Sequence, residues 1–369
     1  MKRSFIREIL EHTNNDTISF AGGLPDASLF PTAELQRATQ TALADNSIWQ
    51  YSTSTGYAPL KALIAKRYSD KGFPTTADEI LITSGSQQGL DIICRYHQYQ
   101  SITMEKPTYL GAMNVFVLNH LYTEAIAIEE NRLGLEAFEK SIAQNELAYL
   151  IPDFQNPTGS SYSQTHREEI AKIIERHRTI LIEDAPYSEL YFDKPYQSIS
   201  QALPKQSYHL GSFSKVLAPA LRIGWIRADR TLLTPLIAYK EAMDLHTSSI
   251  TQAIAYEYLK DTEQFTKHLE TLRSVYKKKM LYFANTLDEI LPSFEYEHPQ
   301  GGMFIYGRFE RVDTTDLVQK CLEKGVVFVP GIEFGGKADE IRFNFTHSSP
   351  SQIREGLERI RAVLNEMEL

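Results

Sequence analysis

Apolar positions along the chain follow two rhythms, one of short continuous runs and one of helical spacing, and from about residue 79 the two alternate. Glu79-Ile80-Leu81-Ile82-Thr83 reads as a strand, and Ser84 to Gly89 as a turn that opens a helix. Ser101 to Met104, Leu147 to Ile151 and Thr179 to Ile182 are further predicted strands. Between the last two, Ser163 to Arg178 reads as a helix with Ile170, Ile173 and Ile174 on one face, started by a capping box of Thr165 and Glu168. Tyr208 to Leu210 leads into a polar turn, and Leu221 to Ile226 leaves it as a strand. A long periodic stretch from Ile250 to Leu291 predicts one helix running to a second unit. That unit holds Gly302 to Phe309, Val326 to Val329, Ile341 to Phe345 and a terminal helix from Pro350, with the stretch through Pro31 packed against it. Strands alternating with helices predict an α/β fold, a mostly parallel sheet flanked by helices in a large domain, plus a smaller α+β domain. The expected division is 48–266 for the large domain, and 1–47 with 267–369 for the small one.

Composition narrows the function classes. The 369 residues suit two domains, and 42% apolar with 23% charged residues is ordinary for a soluble globular chain. A formal charge of −9, mixed along the chain, disfavours nucleic acid and anionic membranes as partners. No apolar run approaches the roughly 18–20 residues that cross a bilayer. The start is basic but lacks the apolar core of a signal peptide. Cys94 and Cys321 form no disulfide framework, which points to a reduced, cytoplasmic setting. His166 has no second histidine at ligand spacing, and no metal site is predicted.

The polar motifs all follow predicted strands at their carboxyl ends: Ser84 to Gln87, Pro107 to Tyr109, Asn156, Asp184 and Lys215. In open α/β sheets that edge is where ligands bind. The segment Gly211-Ser212-Phe213-Ser214-Lys215 is the most telling, because it places a lysine in a hydroxyl-rich turn with Arg222 seven positions later. A protonated amine is no nucleophile, so such a lysine works where its pKa falls or where it stays bonded as an imine. Two serines and a permanently charged, bidentate arginine suit a phosphate beside it. Ser84 to Gly89 opens a helix whose free N–H groups also suit a phosphate, while G-x-G-x-x-G and P-loop motifs are absent. Asp184 ends an apolar strand, either as a functional carboxylate or as a cap for the next helix; Glu183 points to the opposite face and reads as structural. Arg342 interrupts an apolar strand, and a buried guanidinium requires an anion, from a ligand or from an internal salt bridge. Ser212 to Lys215 also satisfies Ser-x-x-Lys, but the Ser-Asp-Asn and Lys-Thr-Gly that penicillin-recognising enzymes need are missing.

Ser-x-Ser-Lys with arginine at +7, Asn156-Pro157-Thr158-Gly159, Ala21-Gly22-Gly23-Leu24-Pro25, Gly301-Gly302-Met303-Phe304 and Arg342 together resemble the fold-type-I pyridoxal-phosphate (PLP) aminotransferases of class I/II. The resemblance covers nearly the whole chain, and its nearest branch contains 2-aminoadipate and kynurenine aminotransferases. It implies pyridoxal 5′-phosphate on Lys215, with Gly85, Ser86, Gln87, Ser212, Ser214 and Arg222 around the phosphate. It implies that Asp184 pairs with the ring nitrogen, Tyr109 stacks on the ring, and Asn156 and Tyr187 bond its phenolic oxygen. Gly23, Asn156 and Arg342 would meet the substrate carboxylate. Arg3 or Arg7 would reach a distal carboxylate, although Ser4 falls at the family's arginine position. The expected reaction is transfer of an amino group from an L-amino acid to a 2-oxo acid such as 2-oxoglutarate. The expected assembly is a homodimer in which Tyr51 reaches the neighbour's phosphate. A PLP lyase or decarboxylase would use the same residues. A regulator with a sensor domain of this kind would need a winged-helix module ahead of Gly22, where 21 residues stand.

Overall fold

In a computed structural model, which describes residues 16–129 and 132–367, the apolar runs pair into three sheets. The strands in chain order are β1 (Ile18–Ser19), β2 (Ile80–Thr83), β3 (Ser101–Lys106), β4 (Tyr122–Glu129), β5 (Arg132–Leu133), β6 (Leu147–Leu150) and β7 (Ile180–Asp184). They continue with β8 (Ser207–Ser212), β9 (Gly224–Arg227), β10 (Phe294–Tyr296), β11 (Phe304–Phe309), β12 (Val326–Val327), β13 (Val329–Pro330) and β14 (Glu340–Asn344). The large sheet has the order β2-β9-β8-β7-β6-β3-β4-β5. Strands β4, β3, β6, β7 and β8 run parallel to one another, β5 lies antiparallel to β4, and β9 lies antiparallel to both β8 and β2. Two reversals leave β2 running with the parallel set. The carboxyl ends of β2, β3, β6, β7 and β8 therefore share one edge, where the sequence motifs fall.

Side-chain alternation builds the two faces of this sheet. Leu147, Tyr149, Ile182, Tyr208 and Leu210 pack with the helices Ser86–Tyr96, Leu110–Leu118 and Arg230–Asp244 on one side. Ala148, Leu150 and Leu181 pack with Leu135–Ile142 and Gln164–His177 on the other. Glu183 lies on that second face, where its carboxylate accepts the N–H groups of Ile199 and Ser200 at 3.2 and 2.7 Å. Its role is structural, as alternation predicts. The four-stranded sheet β10-β11-β14-β13 is antiparallel, and β1 pairs in parallel with β12. Phe20, just after β1, meets Phe283 and Phe343 edge-on, so the N-terminal stretch, where it is described from residue 16 on, packs there against C-terminal elements.

Four local expectations are corrected. The stretch from Ile250 to Leu291 is two helices, Ser249–Leu259 and Thr262–Ile290, because the Asp261 carboxylate caps the second by accepting the Gln264 N–H at 2.9 Å. The helix Gln164–His177 is capped by Ser163, whose hydroxyl accepts the His166 N–H, and not by Thr165. The strand expected from Leu221 starts only at Gly224, since Pro219–Leu221 form a 3-10 turn and Arg222 adopts φ 52°. Val326 to Val329 is split between β12 and β13, which belong to different sheets. Among the described residues no helix is long and apolar enough to cross a membrane, and no His, Cys, Asp or Glu cluster could hold a metal.

Candidate active site

Strand β8 ends in Ser212, and the chain turns through Lys215 before returning to β9. The turn is held by its own hydroxyls: Ser214 N–H donates to Ser212 Oγ at 3.1 Å, and Ser212 Oγ donates to the Ile223 carbonyl at 3.4 Å. Lys215 Nζ donates to the Gly23 carbonyl at 2.7 Å. Burial, followed by the positive charges of Arg342 and Arg222, pushes its pKa down to about 8 from 10.5. An ideal Cβ on Gly23 would stand 3.7 Å from Nζ and 3.5 Å from the Phe304 ring. Both are ordinary van der Waals distances, so Gly23 borders the amine directly.

Asp184 closes β7 and is buried. Tyr149 donates to Oδ2 at 2.8 Å, and Oδ1 has no hydrogen-bond partner among the described residues. Burial raises the Asp184 pKa to about 6, against the lowering effect of the Tyr149 hydroxyl. It caps no helix. Arg342 on β14 is 1% exposed and forms no ion pair among the described residues, so the internal salt bridge is not what holds it. Nη1 donates to Asn156 Oδ1 at 2.7 Å, Nη2 donates to the Ala21 carbonyl, and Nε is unpartnered. The rings of Phe304 and Phe334 lie 4.3 and 4.7 Å from its Cζ. Burial pulls its pKa down to about 10. Burial raises the Tyr187 pKa, and the nearby Asn156 side chain opposes that rise.

The helix Ser86–Tyr96 begins at the same edge, after Gly85 with φ 85°. A Cβ on Gly85 would fall 2.5 Å from Arg222 Nη2, so the glycine is what lets the guanidinium lie over the helix start. Arg222 Nη2 donates to the Ser84 carbonyl at 3.3 Å. The leading N–H groups of this helix, those of Ser86 and Gln87, are the ones an α-helix leaves for a ligand. The Gln87 side chain does something else: it donates to Gly111 O at 3.0 Å and accepts the Tyr109 hydroxyl at 3.1 Å, bracing that ring. Tyr51 is 79% exposed and meets the His246 ring edge-on at 6.0 Å. Arg3 and Arg7, with Ser4, lie outside the described residues.

A family model described as aminotransferase class I and II matches residues 17–360. An aromatic-amino-acid aminotransferase of Thermococcus litoralis is 33% identical over 99% of this chain and 92% of its own, and a 2-aminoadipate transaminase of Thermus thermophilus is 34% identical over 99% and 94%. The solved structure of LysN, the α-aminoadipate aminotransferase of Thermus thermophilus complexed with N-(5′-phosphopyridoxyl)-L-leucine, superposes with a TM-score of 0.92 at 32% identity, over 100% of this chain and 96% of that one. This chain belongs to the class I and II aminotransferases. It is a fold-type-I, pyridoxal-phosphate-dependent aminotransferase.

The aminotransferase's own residues fit that cofactor. A buried carboxylate oxygen without a partner calls for a cationic donor, which a protonated ring nitrogen is. The missing Cβ at Gly85 lets the Arg222 guanidinium lie beside the free N–H groups at the helix start, a combination that suits a phosphate. Residues that sequence reasoning passed over complete the site. Tyr149 reads as one more apolar strand position, and Phe334 as one more core ring. Phe304 stood in a quoted motif, but its place against Arg342 depends on β11 pairing with β14. Gln155, whose Nε2 donates to the Pro107 carbonyl at 2.8 Å and to Glu105 at 3.2 Å, ties the Asn156 loop to the Tyr109 loop.

Proposed function

We propose that this aminotransferase acts as a cytoplasmic homodimer, accepts an L-amino acid as donor and passes the amino group to 2-oxoglutarate. The observation that carries the reading is a partly buried Lys215 amine with its pKa brought down to about 8, in a site that also presents the unpartnered Oδ1 of Asp184 and an Arg342 without an ion pair among the described residues. Near pH 8 such an amine is half neutral, so Lys215 Nζ can take the proton from the substrate Cα and return it on the opposite leg. Arg342 holds the α-carboxylate common to amino acid and oxo acid, and Asn156, already on Nη1, sets its orientation. Asp184 Oδ1 would keep the ring nitrogen protonated, and Tyr187 with Asn156 would bond the phenolic oxygen. Arg222, Ser212, Ser214 and the N–H groups of Ser86 and Gln87 would hold the phosphate beside Gly85, and Tyr109 would stack on the ring. Pyridoxal 5′-phosphate, when bound, supplies the electron sink that makes the Cα proton acidic. Gly23 lines the substrate side, opposite Lys215. Residues 48–266 form the cofactor-binding unit, and 1–47 with 267–369 the smaller one.

Support for the dimer comes from Trp49 and Tyr51, at the end of the 3-10 turn Asn46–Trp49, and Met243 and Leu245, at the end of the helix Arg230–Asp244; all four are exposed, and a 3.2 Å hydrogen bond from Ser52 N–H to His246 Nε2 joins the two segments. Large apolar side chains gathered on adjacent segments mark an interaction surface. Borohydride reduction of the loaded enzyme followed by peptide mapping should put the adduct on Lys215; another lysine would sink the assignment. Aromatic amino acids and 2-aminoadipate, which the relatives' names carry, are the first donors to screen by cofactor absorbance. Mixing inactive Lys215→Ala with impaired Tyr51→Phe chains should restore up to half of the wild-type activity per dimer if Tyr51 serves the partner's site. No gain over the parents would mean that it serves its own.

A further inference from the structure

We infer that Tyr149 is a positioning residue for the cofactor site: its hydroxyl occupies Asp184 Oδ2, leaves Oδ1 to face the ring nitrogen, and stabilises the carboxylate in its charged form. The inference rests on the cofactor assignment proposed above.

The geometry follows from register. Tyr149 on β6 pairs with Ile182 on β7, so Asp184, two residues further, lies on the same face of the sheet one step nearer the carboxyl edge. From there the Tyr149 hydroxyl reaches Oδ2 at 2.8 Å. Its ring is fixed edge-on against Phe116, 5.3 Å between centroids, within the apolar layer under the helices. Both residues are buried, so neither oxygen of the carboxylate has water to fall back on.

The choice of donor matters chemically. An arginine or lysine at 149 would neutralise Asp184 and compete with the ring nitrogen for it. A phenol donates one hydrogen bond and brings no charge, so the whole negative charge remains for the ring. Burial beside Asp184 pushes the Tyr149 pKa well above its ordinary value, which keeps the phenol a donor. The titratable groups that share an electrostatic interaction with Asp184 are Tyr149 on β6, Tyr187 beyond β7 and Glu105 at the end of β3, which lies on the opposite face of the sheet with Tyr162; none of them is cationic. On β8 its paired neighbour is the apolar Leu210. Lys215, beyond β8, responds to Arg342 and Arg222 instead. Tyr149 is thus the one hydrogen-bond donor to Asp184 among the described residues.

The test is the pH dependence of cofactor dissociation from the loaded enzyme, in wild type, Tyr149→Phe, Asp184→Asn and the double variant. In wild type, affinity should fall as pH drops through about 6, where Asp184 takes up a proton. Tyr149→Phe removes one hydrogen bond to a charged group, so that midpoint should move up by about one to two pH units. Glu105, which burial brings to about 7, titrates in the same range, so the comparison is repeated with Asp184→Asn. There Tyr149→Phe should shift nothing. An unmoved midpoint in Tyr149→Phe, with affinity lowered equally at every pH, overturns the inference, and so does a shift that persists with Asp184→Asn. Should Tyr149→Phe fail to fold, recovery of folding in the Tyr149→Phe/Asp184→Asn double variant supports it, because the buried charge leaves with its donor. Failure of that double variant to fold would make Tyr149 a packing residue only. Borohydride mapping to Lys215 tests the underlying cofactor assignment separately, so the two can fail independently.

Discussion

Gly85→Ala tests the phosphate cradle through a collision that the geometry specifies. The new Cβ would lie 2.5 Å from Arg222 Nη2 and 3.1 Å from its Cζ, at a backbone of φ 85°, ψ 161° that side chains other than hydrogen rarely accept. Holding alanine in that region costs the fold about 1–3 kcal/mol. The cheaper relaxation at the contact is for Arg222, exposed and joined to the turn only by two 3.3 Å hydrogen bonds, to swing away from the helix start. The cofactor phosphate then loses its arginine. A charge-assisted hydrogen bond is worth about 1.5–3 kcal/mol, which corresponds to about 10–100-fold in cofactor affinity. Dissociation constants from cofactor absorbance or fluorescence titration should show that loss in Gly85→Ala and a similar one in Arg222→Ala. In the double variant the affinity should drop little further, while the thermal midpoint still falls by the backbone cost. Wild-type affinity in Gly85→Ala would refute the reasoning. Two losses that multiply in the double variant would also refute it, since they would mean that Gly85 acts on the phosphate independently of Arg222.

Asp184→Asn should abolish most turnover, by at least about 100-fold, because the electrostatic partner of the ring is gone. It should also raise the thermal midpoint of the cofactor-free chain at pH 8. The folded Asp184 pKa is about 6 against an ordinary 3.8, so its contribution to stability is present below about pH 4 and lost as pH rises through 6, at a cost of about 3 kcal/mol. The gain over wild type should therefore close toward pH 4; a gain independent of pH would count against a buried charge. Arg342→Ala should raise KM for amino acid and oxo acid alike in steady-state assays, whereas an effect on one alone would contradict a shared carboxylate site. Glu189 holds Arg67 at 2.7 Å, Arg273 at 3.4 Å and Lys71; burial opposes its ionisation, but these cations prevail and bring its pKa to about 2. Its depressed pKa contributes about 3 kcal/mol above pH 4.5 that is lost as pH falls toward 2, so Glu189→Gln should lower the thermal midpoint at pH 7 by several degrees. An unchanged midpoint would mean that the cluster is screened.

Much of this aminotransferase was legible from one dimension, for identifiable reasons. Strands buried on both faces must be continuous apolar runs, so β2, β3, β6 and β7 stood out within a few residues of their ends. Ligand groups at the carboxyl edge must follow those runs directly, which is why Ser86, Asn156, Asp184 and Lys215 could be singled out. Boundaries set by a single side chain were not legible: Asp261 splits one helical pattern in two, and Ser163 rather than Thr165 starts a helix, because several nearby residues could have accepted the same N–H. The left-handed backbone at Arg222 was likewise invisible, since it comes from how the turn closes over Gly85.

What the chain by itself determined was the chemistry available, a lysine, a carboxylate, an arginine and a helix start with free N–H groups near the strand ends. Tertiary structure alone decided their electrical state. Desolvation brings Lys215 to about 8 and Asp184 to about 6, and it does so only where other elements cover them. The pairings that tune the site join residues far apart in sequence: Tyr149 to Asp184, Lys215 to Gly23, and Arg342 to Asn156 and Ala21. A local pattern records which face a residue occupies, while the partner it meets there depends on the packing of whole sheets.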